Sequence, residues 1–302
     1  MPWRLTDRVE RLEKNGGACM SSWREVEAWL SGGYDGRVAV ASHRGKFSSS
    51  VIENTALACL LALDEGADLV ELDVVRTRDG VLVGHHDKTM NRLFHLDRPI
   101  SGCTWKELEE LPLYNYVGEI GTVGLDPLSR ILESLKGRSF LALDRCWDCW
   151  EQVYALVREK EMIGQSLFKF YIENEAACRF AEAHPDALFV PMVREPETLE
   201  WVERLRGTVR VPALEILPEA PDDPIFQPEV FEWLHSRGIK VWCNSLSLAK
   251  RLVYGGGYDD LKALRFGGGE SWGVLAEKGV DIIQTDWPYE AKQYLASIGR
   301  SL

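Results

Sequence analysis

Four stretches of the chain carry side chains able to move protons or hold a cation: His43-Arg44, Glu71 with Asp73, His85-His86-Asp87, and Asp144-Arg145. Successive side chains of an extended strand point to opposite faces, so Glu71 and Asp73 share one face while Val70, Leu72 and Val74 share the other. Two neighbouring carboxylates facing a closed interior repel unless protons or a cation intervene. Carboxylate oxygens completed by water are the ligands that Mg²⁺ or Ca²⁺ prefers. The competing reading pairs them with Arg76 and Arg78 close by. A turn at Asp79-Gly80 folds the chain back and brings His86 beside the two carboxylates. With His43, this makes two imidazoles, which near neutral pH can serve as base and acid. His85 faces away from His86 in a strand and is expected to be structural.

These residues need elements to hold them. Apolar or β-branched runs at 37–43, 69–75, 81–86, 139–144, 166–170, 187–193, 211–217, 239–244 and 280–285 predict nine strands, and most of the intervening gaps carry helical patterning. The gap at 76–80 is too short for a parallel crossover and predicts an antiparallel hairpin. Removing that excursion leaves eight strand-crossover units, the pattern of a (β/α)8 TIM barrel. The ionisable residues then lie at the C-terminal strand ends, where barrels place their chemistry. Glu215 and Trp242, near the ends of the sixth and seventh barrel strands, face the same mouth and are candidates to contact substrate, against plain ion pairing and core packing. Residues 1–36, with helix-compatible segments at 6–14 and 21–30, form an N-terminal helical extension to a barrel at 37–302. Residues 88–125 read as an insertion beside the mouth, and the glycine-rich stretch 254–269 as a loop over it. Asn54 or Thr55 is expected to cap the helix that follows, and Asp286 to cap the one begun by Pro288. Trp23, Trp147, Trp150, Trp201 and Trp233 are expected to pack amphipathic helices onto the barrel.

The 302 residues hold 35 Lys and Arg against 47 Asp and Glu, a net charge of −12 that argues against a nucleic-acid partner. No run approaches the ~18 apolar residues of a transmembrane segment, and the first residues lack a secretory signal. A cytoplasmic protein is expected. Seven scattered cysteines read as reduced thiols, and Cys146-x-x-Cys149 alone is weak support for zinc.

The motifs SHRG (42–45), IENT (52–55), GADLVELDV (66–74), TRDGVLVGHHD (77–87) and DIIQTDWP (281–288) together resemble the glycerophosphodiester phosphodiesterase family. The resemblance spans most of the chain. It implies a metal-dependent barrel, related in fold to phosphatidylinositol phospholipase C. It further implies that His43 and His86 are the acid and base, that Arg44 holds a phosphate oxygen, and that Glu71 and Asp73 bind the metal, Mg²⁺ or Ca²⁺. The family's third ligand is a Glu in an E-x-K strand, and LALDRC departs from this. Asp144 is the candidate ligand, Cys146 stands where the Lys should be, and Lys169 on the next strand is the candidate replacement. Arg145 would point away if the strand stayed regular. For Trp242 the family offers support, since its members often carry Trp in this strand.

The expected function is metal-dependent hydrolysis of a glycerophosphodiester or related lipid-derived phosphodiester. The alternatives are a lyase-type phospholipase D acting on lysophospholipid or sphingolipid, and a non-catalytic binding barrel with a degraded metal site.

Overall fold

The computed structural model describes residues 23–48, 50–115, 117–121, 124–248 and 254–302. Each sequence run expected to be extended is a strand: β1 (Ala39–Ser42), β2 (Leu69–Arg76), β3 (Leu82–Gly84), β4 (Phe140–Asp144), β5 (Ser166–Tyr171), β6 (Leu188–Val193), β7 (Ala213–Ile216), β8 (Lys240–Asn244) and β9 (Ile282–Thr285). The parallel order β2-β4-β5-β6-β7-β8-β9-β1 closes on itself through β1–β2, which makes the eight-stranded barrel. β3 lies outside it, paired antiparallel to β2 with Val74 opposite Gly84.

The helices are α1 (Trp23–Leu30), α2 (Ala56–Asp64), α3 (Asn91–Phe94), α4 (Trp105–Glu109), α5 (Leu128–Leu135), α6 (Trp150–Glu159), α7 (Glu175–Ala183), α8 (Leu199–Arg206), α9 (Pro228–His235), α10 (Asp260–Phe266), α11 (Trp272–Lys278) and α12 (Pro288–Ser297). Thr55, not Asn54, caps α2, its hydroxyl oxygen accepting the Ala58 N–H at 3.2 Å. The 6–14 segment lies outside the described residues.

Strand alternation divides the core in two. Val70, Leu72 and Val74 face the surrounding helices. Leu69, Phe140, Ala142, Leu167, Val190 and Trp242 fill the barrel's N-terminal end, where Val26, Trp29 and Leu30 of α1 join them as a plug. The insertion has a small core of its own, built from Met90, Leu93, Phe94, Ile100, Leu108 and Leu113 against Ile52 and Val83. Its helix α4 starts at a capping box formed by Thr104 and Glu107.

Three expectations change, the first being Trp201 on α8, which stays 44% exposed instead of packing onto the barrel. Stretch 254–269 is not wholly loop, because Asp259 caps α10, accepting the Lys262 N–H at 2.8 Å; glycines on both sides mask this short helix in the sequence. Trp147 sits in a 3₁₀ turn (Cys146–Asp148) at the mouth, ahead of α6 and outside it.

Candidate active site

Going up the barrel interior, the inward side chains turn from apolar to ionisable. β2 presents Leu69, Glu71 and Asp73 in turn, and β4 presents Phe140, Ala142 and Asp144, with Asp73 and Asp144 in register. Together with His43, Arg44, His86, Arg145, Lys169, Glu215 and Asn244 they line a cavity of about 300 Å³.

Three non-glycine residues here adopt the left-handed conformation that L-residues avoid: Arg44 (φ 55°), Asn54 (φ 58°) and Arg145 (φ 54°). Such strain persists where surroundings over-determine it. Arg44 is held by both backbone and side chain. Its N–H donates to Glu71 Oε2 at 3.1 Å, Nη1 to Glu53 Oε1 at 3.0 Å, and Nε lies 3.1 Å from Asp73 Oδ2. Asn54 exchanges two bonds with Asp73, giving Nδ2–H to Oδ2 at 3.1 Å and accepting the Asp73 N–H at 3.0 Å. The left-handed turn also corrects the expectation for Arg145. The strand ends at Asp144, and the turn swings the guanidinium back to 3.4 Å from Asp73 Oδ1, with Nη1 donating to the His86 carbonyl at 3.2 Å. Gly45 (φ 73°) and Gly84 permit the close packing beneath: a Cβ on Gly45 would lie 2.6 Å from the Ala58 carbonyl carbon, and one on Gly84 only 2.2 Å from the Asn54 oxygen.

Lys169, 1% exposed, lies 2.8 Å from Glu215 Oε2 and 3.2 Å from Asp144 Oδ2. Burial alone would discharge it, but Glu215, Asp144 and Glu71 push its ammonium above the usual lysine range. Burial likewise works to raise Asp144, yet Lys169 and the Arg145 N–H hold it below the usual carboxylate range. Glu71 is the opposite case. Burial, then the carboxylates of Asp73 and Asp144, hold it well above that range despite Lys169 and Arg44.

Glu215 also accepts the Asn244 Nδ2–H at 2.6 Å. Trp242 is fully buried in the lower interior cluster and does not reach the cavity. Its indole N–H donates to Gln284 Oε1 at 3.1 Å, and its ring lies 5.3 Å from Lys169 Nζ, forming a floor beneath that ammonium. Its place two residues below Asn244, one inward position nearer the base of β8, decides this.

His43 Nδ1 lies 2.8 Å from Asp286 Oδ1, and His86 Nδ1 lies 2.8 Å from Asp87 Oδ1. Asp286, expected to cap a helix, makes no such bond at the start of α12; it orients His43. Asp87 is shared with Arg92 of the insertion, whose Nε is 2.7 Å from Oδ2. Burial would raise Asp87, but the bonds from His86 and Arg92 hold it far below the carboxylate range. Arg92 also clamps buried Glu53 with two bonds of 2.7 Å. Arg78 pairs with Glu107 instead of the β2 carboxylates, which removes half of the competing reading for Glu71 and Asp73. His85 is buried, with Nε2 3.3 Å from the Thr89 carbonyl oxygen.

The sequence reading named Asp87 and Glu53 without giving them a role, did not single out Arg92, and expected Asp286 to cap a helix. Asp87, next to a candidate histidine, was the one with a local signal.

Glu71, Asp73 and Asp144 face one cavity and carry only oxygen donors, the ligand type a hard divalent cation takes. Among the described residues no three acidic, His or Cys side chains already converge as a cation cage. Arg44, Arg145 and Lys169 hold these carboxylates in their stead.

Residues 43–141 match the family model described as the glycerophosphoryl diester phosphodiesterase family, and residues 189–295 match a domain family of unknown function. A glycerophosphodiester phosphodiesterase of Bacillus altitudinis is 30% identical over 136 residues, covering 45% of this chain and 54% of that protein. The chain thus matches about half the length of this relative. A crystal structure of a glycerophosphoryl diester phosphodiesterase from Parabacteroides distasonis shares the fold at a TM-score of 0.75, with 21% identity, 92% of this chain and 93% of that one covered. An Oleispira antarctica phosphodiesterase, solved in complex with the product sn-glycerol-3-phosphate, has a TM-score of 0.63 and 22% identity, with 86% and 97% covered. No helix among the described residues is long and apolar enough to cross a membrane.

Proposed function

We propose that the chain, whose residues 43–141 match the glycerophosphoryl diester phosphodiesterase family model, hydrolyses a glycerophosphodiester or a related lipid-derived phosphodiester, with His43 and His86 as its acid/base pair. The observation that carries this reading is the pairing of both imidazoles, through Nδ1, with separate carboxylates at the wall of one cavity. A ring anchored through Nδ1 offers Nε2 for proton exchange. One imidazole takes the proton of the attacking hydroxyl, from water or the glycerol arm, as the new P–O bond forms. The other gives a proton to the bridging oxygen of the leaving alcohol as the old P–O bond breaks.

Arg44, aligned by Glu53 and Asp73, supplies a fixed positive charge for a non-bridging phosphate oxygen. Glu71, Asp73 and Asp144 are the side chains that would hold Mg²⁺ or Ca²⁺. A divalent cation bound there would neutralise charge on the phosphate oxygens. Lys169 acts at the third carboxylate, keeping Asp144 ionised, and Glu215 holds Lys169 in place. The substrate class follows the B. altitudinis relative and the glycerol-3-phosphate complex. A cytoplasmic setting accords with the scattered cysteines.

The test uses purified protein stripped with EDTA and assayed on glycerophosphodiesters and lysophospholipids, restoring Mg²⁺, Ca²⁺ or Mn²⁺ singly, with His43→Ala and Asp144→Asn alongside. Metal-dependent turnover lost in both variants is expected. Inertness on every substrate with every metal, together with no divalent-ion binding by calorimetry, would favour the binding-barrel reading. Phosphorus NMR of the product separates hydrolysis from cyclic-phosphate release.

A further inference from the structure

A second cavity, of about 530 Å³, shares His86, Arg145 and Trp147 with the catalytic one. The rest of its wall comes from the β2–β3 hairpin, the Pro99–Ser101 turn of the insertion, and residues 148–149. Its polar rim holds Arg76, Lys88, Asp87 and Asp148. Asp87 is already committed to His86 and Arg92, and Arg145 to Asp73. That leaves Arg76 and Lys88 against Asp148 alone, a local excess of positive charge on a chain of net charge −12. Among the described residues, Arg76 Nη1 meets the neutral amide oxygen of Gln152 at 2.8 Å in that side chain's satisfied orientation, a contact that does not cancel its charge.

We propose that this second cavity receives the alcohol on the His86 side of the phosphodiester and selects one bearing an anionic group, a phosphate or carboxylate. The proposal rests on the hydrolase reading above. A phosphodiester carries two alcohol arms, and the imidazole that exchanges a proton with a bridging or attacking oxygen must touch the arm bonded to that oxygen. His86 belongs to both cavities, so the arm it touches has the second cavity beside it. Val75, Ile100 and Trp147 give that arm an apolar lining, while Arg76 and Lys88 meet its charge at the rim. Both cations are exposed, which limits each contact to a modest gain and makes it sensitive to salt.

The test compares kcat/KM of the full chain on three glycerophosphodiesters whose second alcohol is glycerol (neutral), choline (cationic) or glycerol carrying a terminal phosphate (anionic). The anionic substrate is expected to lead the neutral one by about fivefold to tenfold at low salt, and choline to trail both. In the Arg76→Glu/Lys88→Glu double variant that ratio is expected to fall to about one or below, whereas Arg76→Lys retains it. Cleavage of all three substrates without charge preference, or a preference that survives the double variant, would overturn the subsite and leave the hydrolase reading standing. Cleavage of none of them would overturn the subsite, and inertness on lysophospholipids with every metal as well would overturn the hydrolase reading.

Discussion

The two histidines share a cavity but are supported in opposite ways. His43 is buried at the end of β1, and its partner Asp286 stands at the end of β9, 243 residues away in the chain. The loop holding Asp286 is pinned in turn by buried Asp260, whose Oδ2 accepts the Asp286 N–H at 3.0 Å. Its Oδ1 accepts from Ser245 at 2.6 Å, Thr285 at 2.8 Å and the Trp272 indole at 2.9 Å. His86 is a quarter exposed, takes its carboxylate from the next residue, and depends on Arg92 of the insertion to fix that carboxylate. One imidazole is thus built into the barrel wall, and the other is held by a segment packed against it. The difference teaches that the insertion is positioned to tune the His86 side, where the second cavity lies.

The largest expected effect is common to both sides. His43→Ala and His86→Ala should each lower kcat by about 10²–10⁴-fold, and a loss confined to one of them in steady-state assays would break the acid/base pairing. Next, Asp286→Asn should cost about 10²-fold through misplacement of His43, with the melting temperature little changed.

Arg92→Ala sharpens the contrast. It releases Asp87 and leaves buried Glu53 with Arg44 alone, so urea denaturation should show a loss of about 1.5–3 kcal/mol. Turnover should fall less than for Asp286→Asn, since the barrel is untouched.

The smallest effect is a slope. Burial pushes Asp260 up to about 7, outweighing the bonds from Ser245, Trp272 and Thr285 that favour its ionised form. A carboxyl with a raised folded pKa binds its proton more tightly in the folded state. Its stabilising contribution is therefore complete below about pH 4 and is lost as pH rises from about 4 to about 7. Asp260→Asn should lower the melting temperature and flatten its decline between about pH 4 and about pH 7; an unchanged slope would refute that role for Asp260.

Much of the barrel was legible because its signals are local. Strand alternation has period two, so the common face of Glu71 and Asp73 could be read directly, as could the hairpin from Asp79-Gly80. Lys169 was offered by the family resemblance as the replacement for a missing Lys, and its Nζ lies 3.2 Å from Asp144 Oδ2. Where the backbone leaves its regular period, the reading failed. Arg145 turns inward because a left-handed residue follows Asp144, and α10 is concealed by flanking glycines. Trp242 lies one inward position below the mouth, with Asn244 above it, and a strand's inward face does not by itself tell depth.

By itself, the amino-acid sequence determined the eight-unit barrel, the two histidines and the inward carboxylates, since each rests on periodicity or on neighbours a few residues apart. Only the tertiary structure decided which carboxylate serves which imidazole. His86 finds Asp87 beside it, but His43 meets Asp286 because the closure of β1 onto β9 sets Ser42 opposite Thr285. That contact is a property of the closed barrel, and no local spacing encodes it.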